Sequence, residues 1–202
     1  MKLYFIRHGV TQGNLERRYV GCTDEGILEE EKEGLRQKGQ ALPKMDQAFV
    51  SPYLRCRQTA ELLFGKNQTE IIEDFREMDF GVFEYKNYQE LSGNPDYQKF
   101  IDSGGTLGFP GGEEPEYFKR RCRQAFQSCV QKSWENRWNH VGFVLHGGTI
   151  MAILEAFVYP QRGYYEYQTG NGCGFVCRVA DNGDEEKYDK RYIKLIIEED
   201  IT

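Results

Sequence analysis

Leu3-Tyr4-Phe5-Ile6-Arg7-His8-Gly9 is a short apolar run cut off by a His-Gly pair. Its length, its aromatic content and the glycine stop read as a buried strand over residues 2–7 that enters a loop. Val141-Gly142-Phe143-Val144-Leu145-His146-Gly147 repeats the arrangement far down the chain. Between the two, strand and helix patterns alternate. Ala48-Phe49-Val50-Ser51, stopped by Pro52, and Ile71-Ile72 are further strand candidates. A charged helical stretch covers 29–42, weakened by Gly34 and Gly39. A second helix runs from Tyr53 to Phe64, with Leu54, Gln58 and Leu62 on one face, and Gly65 ends it. Pro115 sits where a first-turn proline belongs, and Phe118, Cys122, Ala125 and Cys129 form the buried stripe of the long helix that follows. Ile150 to Tyr159 is an apolar helix halted by Pro160. Phe175–Val179 and Tyr192–Ile197, joined through Asp181-Asn182-Gly183-Asp184, suggest a closing hairpin. This order predicts an α/β fold: a three-layer α/β/α sandwich with a mostly parallel central sheet.

At 202 residues, the chain is expected to form one domain, 1–202, with a loop-rich cap segment at about 81–114. Leu91 to Glu114 carries Gly93, Pro95, Gly104, Gly105, Gly108, Pro110, Gly111 and Gly112 around a brief Tyr97–Ile101 segment. So many breakers forbid a long regular element, and such loops often cover binding sites. With 26 Lys+Arg against 32 Asp+Glu, the net charge is -6, which argues against a nucleic-acid or anionic-membrane partner. No apolar run approaches the roughly 18 residues that span a bilayer. Arg7 and His8 end the N-terminal apolar run too early for a signal peptide. A cytoplasmic protein, monomer or homodimer, is the expectation. Cys22, Cys56, Cys122, Cys129, Cys173 and Cys177 include no C-x-x-C pair, and they read as reduced core thiols.

His8 and His146 both follow a buried strand directly, and chemistry in open α/β sheets sits at the carboxyl ends of strands. Two imidazoles delivered there by separate strands would face one site. Arg7 adjoins His8, and Arg55 follows the end of the second strand, so two guanidiniums join them. Arginine grips phosphate oxygens in a planar, bidentate fork. Gly9 and Gly147 let backbone N–H groups approach an anion. A phosphate monoester is the natural occupant. Arg57 and Arg76 read instead as solvated surface charges.

These residues resemble a known family. Arg7-His8-Gly9-Val10-Thr11, with Asn14 beyond it, is similar to the R-H-G-x-T-x-x-N signature of the histidine phosphatase superfamily, which includes phosphoglycerate mutase. Ser51-Pro52-Tyr53-Leu54-Arg55-Cys56-Arg57-Gln58-Thr59-Ala60 resembles its S-P-x-x-R-x-x-Q-T-A segment. Glu77, ahead of Phe80-Gly81 and Phe83-Glu84, resembles its E-x-x-F-G-x-W/F-E stretch, and His146-Gly147-Gly148 its second H-G-G. The resemblance implies a phosphoglycerate mutase-like fold and a phosphomonoesterase acting on a small phosphorylated metabolite without cofactor or metal. His8 would be the nucleophile that forms a phosphohistidine. Arg7, Arg55 and His146 would bind the transferring phosphoryl. Glu77 would be the general acid for the leaving oxygen. Thr11 and Asn14 would bind phosphate or order the loop.

Some positions depart from the pattern. Val10 stands where an acidic residue or Gln is usual. Tyr85 replaces the usual glycine and is expected to crowd the approach to the pocket. Glu114 replaces Ser in a G-G-E-S-like stretch. A cofactor-dependent phosphoglycerate mutase, an α-ribazole-5′-phosphate phosphatase and a non-catalytic phospho-ligand binder stand as alternatives.

Overall fold

The computed structural model describes residues 1–65, 69–105, 107–180 and 193–202. Six strands form one sheet: β1 Lys2–Arg7, β2 Gln47–Val50, β3 Thr69–Ile71, β4 His140–Leu145, β5 Gly174–Val179 and β6 Leu195–Ile201. Their spatial order is β3-β2-β4-β1-β5-β6. The β3/β2, β2/β4 and β4/β1 pairs are parallel, and β5 runs antiparallel to both β1 and β6. Only β5 is therefore reversed, and the sheet is mostly parallel as expected.

Successive side chains of a strand point to opposite faces, so each central strand feeds two cores. Leu3, Phe5, Phe49, Val141, Phe143 and Leu145 join one apolar cluster, while Ile6, Ala48, Val50 and Val144 join another. The first cluster is covered by α5 Pro115–Glu135 and α6 Gly147–Phe157. The expected stripe Phe118, Cys122, Ala125 and Cys129 is buried there, beside Phe126 and Val130. The second is covered by α2 Glu31–Ala41, through Leu35, and by α3 Leu54–Phe64, through Cys56, Ala60 and Leu63. Helices on both faces complete the three layers, as in the fold expected from the sequence. Gly65, at φ +76°, ends α3.

The boundaries differ in places. α6 starts at Gly147, because His146 holds extended backbone (φ -111°, ψ 166°) as its N-cap and the helix follows at once. β6 lies further toward the C-terminus than 192–197. Glu198, Glu199 and Asp200 hide it, since an edge strand with an open face accepts charges. The linking segment at 181–184 lies outside the described residues. A short α1, Gln12–Leu15, follows β1, and α4, Pro95–Asp102, interrupts the breaker-rich segment. Asn94 caps α4 by accepting from the Asp96 and Tyr97 amides, with Pro95 at its first position. All six cysteines are free, but only Cys56, Cys122, Cys129 and Cys177 are core thiols. Cys22 is exposed and Cys173 half-buried.

Candidate active site

The ladder between β1 and β4 pairs Arg7 with Leu145, so the next residues, His8 and His146, leave the sheet side by side. The His8 amide donates to the Leu145 carbonyl at 3.0 Å, carrying the ladder one rung further. The ring centroids lie 5.2 Å apart, edge to face. His8 Nδ1 donates to the Gly9 carbonyl at 2.8 Å, which places the proton there and the lone pair on Nε2. His146 has both nitrogens engaged. Arg55 Nε donates to its Nδ1 at 3.3 Å, so Nε2 carries the proton toward Ser51 Oγ at 2.6 Å. Burial pushes both imidazoles well below the ordinary range, and the Arg55 and Arg7 charges push the same way. Both are neutral, as a nitrogen nucleophile must be.

The arginines divide the work. Arg7 Nη1 donates to the Thr169 carbonyl at 2.9 Å, while its buried Nε has no hydrogen-bond partner among the described residues. Such a group points to an acceptor. Arg55 is fully buried and turns its fork to the carbonyls of Val20, Gly21 and Thr23. It thus anchors the 20–23 loop and orients His146, where the sequence reading expects it on the phosphoryl oxygens.

Glu77 is 8 % exposed. Its Oε1 accepts from the Met78 amide at 2.9 Å and its Oε2 from the Gly148 amide at 3.0 Å, at the start of α6. A Cβ at Gly148 would meet Glu77 Oε1 at 2.5 Å, so any side chain there would displace the carboxyl. Burial raises the Glu77 pKa, opposed by the two amides, Arg55 and Arg7. A carboxyl raised in this way is fit to hold and deliver a proton.

A cavity of about 760 Å³ opens beside these groups. Arg7, His8, Asn14, Glu77 and Gly147 line it, whereas Arg55, His146, Gly9 and Thr11 are not among its lining residues. Gly9 differs from the expectation, because its N–H is spent on Thr59 Oγ1 at 2.9 Å. Thr11 is wholly buried and orders the loop by capping α1 in a reciprocal box with Asn14. Asn14 Oδ1 also accepts from Asn171 Nδ2 at 2.9 Å. Tyr85 does not crowd the cavity. Its positive φ of 57° turns the hydroxyl to Glu25 instead, at 3.1 Å.

Some positioning groups escape a reading of the sequence by residue type. Ser51 and Thr59 sit inside the S-P…Q-T-A block, yet their partners appear only in the fold. Arg121, paired with Glu113 at 2.6 Å, donates to the Asp74, Arg76 and Glu77 carbonyls and holds the Glu77 backbone in place. Asn171 Nδ2 donates to the His8 carbonyl at 3.1 Å from a loop with no motif to mark it. The fold also brings Cys22 Sγ and carboxylate oxygens of Asp79 and Glu84 within 4.8 Å of one another, a trio that no spacing announces. Glu84 is engaged there by the Gly21 and Thr23 amides and the Thr23 hydroxyl.

Among the described residues, no helix is long and apolar enough to cross a membrane. The chain is 29 % identical over 136 residues to a probable phosphoglycerate mutase GpmB of Erwinia tasmaniensis, covering 64 % of this chain and 63 % of the relative. It is 28 % identical over 137 residues to the protein of the same name in Salmonella typhi, covering 64 % of that relative. The match thus spans just under two thirds of these relatives' length. An α-ribazole phosphatase from Shigella flexneri superposes with a TM-score of 0.78 at 21 % identity, over 90 % of this chain and 92 % of that one. A phosphoglycerate mutase from Thermus thermophilus superposes with a TM-score of 0.67 at 25 % identity, over 100 % of this chain and 99 % of that one. The model of the histidine phosphatase superfamily (branch 1) matches residues 3–188. With its two strand-end imidazoles side by side and that match over nearly its whole length, the chain belongs to the histidine phosphatase superfamily.

Proposed function

We propose that the chain is a phosphoric monoester hydrolase acting on a small phosphorylated metabolite through a phosphohistidine at His8. The observation that carries this is the pairing of a neutral His8, its lone pair on Nε2, with the buried, unpartnered Arg7 Nε in one cavity. His8 Nε2 attacks phosphorus and the ester P–O bond breaks. The departing oxygen takes the proton of Glu77, without which an alkoxide is a poor leaving group. The Glu77 carboxylate then removes a proton from water, whose oxygen attacks phosphorus. The P–N bond breaks, releasing phosphate and restoring neutral His8. Arg7 follows the charge on the transferring group, and removing such a donor typically costs about 100- to 1000-fold in rate.

Transfer back to substrate, as in a mutase, is the second reading, suggested by what the bacterial relatives are named. The large cavity supports hydrolysis, since a mutase must shield its phosphohistidine from water. Phosphate release from 3-phosphoglycerate should therefore outrun its isomerisation in the presence of 2,3-bisphosphoglycerate. Denaturing the protein in alkali during turnover should trap phosphate that acid later releases, but not on His8→Ala, which should be inactive. Turnover by His8→Ala at the unsubstituted rate would refute the nucleophile. Glu77→Gln should slow alkyl phosphates far more than p-nitrophenyl phosphate, whose leaving group needs no proton.

A further inference from the structure

We propose that the ester cleaved here has an uncharged, apolar alcohol, flat or branched and larger than a triose, rather than a carboxylate-bearing or sugar alcohol. This deepens the phosphatase reading and rests on it; it concerns the part of the cavity beyond the phosphate-binding groups. That part is walled by aromatic rings from separate segments. Phe100, on α4, packs on Phe109 at 4.7 Å between centroids, Phe80 packs on Phe109 at 4.8 Å, and Tyr19 meets Phe109 at 6.0 Å. Met78, Leu107 and Met151 continue the apolar lining.

The cations of this wall, Arg18 and Lys119, are already engaged. Arg18 binds Glu16 at 2.5 Å, Glu90 at 2.7 Å and the Tyr85 carbonyl at 2.6 Å. Lys119 pairs with Glu155 at 2.9 Å and stands 4.6 Å over the Tyr164 ring. Glu116 adds a negative charge to the same lining. A substrate carboxylate would lose its hydration here and find only cations that already have partners, a costly exchange. A sugar's hydroxyls would meet Glu116 and Gln168, but otherwise a wall of rings and apolar chains. The Tyr19 ring meets Tyr97 edge-on at 6.4 Å, and the Tyr164 hydroxyl donates to the Gly148 carbonyl at 3.3 Å. At the rim, Leu107 is 50 % and Tyr165 57 % exposed, apolar surface that an apolar alcohol would cover.

The test compares alcohols of similar leaving-group acidity, so that chemistry does not mask binding. kcat/KM for 3-phenylpropyl phosphate should exceed that for propyl phosphate by about 30-fold, from the area of the added ring. 3-Phosphoglycerate and glucose 6-phosphate should fall below propyl phosphate. Leu107→Ser, at an exposed position, and Phe100→Ala should each shrink the phenylpropyl-to-propyl ratio to about 5-fold or less. Brisk hydrolysis with either polar substrate preferred would overturn the proposal and leave the phosphatase reading intact. Binding of 3-phenylpropyl and propyl phosphonate, measured by calorimetry, separates the opposite case. The same preference in binding, without turnover of any ester, would uphold the apolar site and overturn hydrolysis. Equal phosphonate affinities would sink the proposal.

Discussion

A buried neutral imidazole makes stability depend on pH, and this chain buries two. In the unfolded chain, His8 and His146 titrate near about 6.5, whereas in the fold burial holds both well below that. Below about pH 6.5 the unfolded chain therefore binds more protons than the folded one. Stability should fall with falling pH by up to about 1.4 kcal/mol per unit for each ring, down to its folded pKa. Glu77 acts in the opposite sense. Raised in the fold, it contributes stability that is lost as pH rises from about 4.5 through its folded pKa. Urea unfolding of His8→Asn across the acid range should show a slope shallower by one ring's share, and an unchanged slope would mean His8 is charged in the fold. Ser51→Ala should cost about 1–3 kcal/mol in the same assay, because it leaves the buried His146 Nε2–H without an acceptor. His8, His146, Arg7 and Glu77 were legible because each lies in a short block with strong local character. The turning of Arg55 to the 20–23 carbonyls was not, since those acceptors are backbone atoms that any residue supplies.

The strands and helices owe their legibility to alternation and punctuation. β1 and β4 are apolar on both faces and end on His-Gly; α5 shows its start in Pro115 and its buried face in Phe118, Cys122 and Ala125. β3 and β6 were harder to bound, because short or edge strands carry charges that erase the pattern. β5 offers a sharp test of the pairing. A Cβ on Gly174 would overlap the Phe5 carbonyl oxygen of β1, a backbone atom that cannot step aside. Gly174→Ala should destabilise the protein by about 3 kcal/mol, read as a lowered urea midpoint with unchanged m-value. Phe126 lies in the core against Phe5 and Phe143 at 5.7 and 5.5 Å, and Phe126→Ala should cost about 3–5 kcal/mol.

At the scale of the molecule, an acidic chain brings Arg7, His8, Asn14 and Glu77, all proposed for the site, into one cavity at the carboxyl end of its sheet. Inorganic phosphate, as a ligand of the folded state alone, should stabilise the protein by about 2.7 kcal/mol at a hundred times its Kd. Arg7→Ala should abolish most of that gain, as a thermal-shift titration would record. The cavity's contents were only half legible. The end proposed for phosphate is written in motifs, but the far wall assembles rings from segments around Tyr19, Phe80 and Phe100, which only folding brings together. The adjacency of β1 and β4 has a wider consequence. The gap between the two strand-end rings is set by the spacing of neighbouring rungs, independently of the loops around the cavity. Those loops can be lengthened, shortened or recoloured by mutation while the pair of rings keeps its spacing. Descendants of one ancestral scaffold can thus remodel what the cavity admits without disturbing how the two rings face each other.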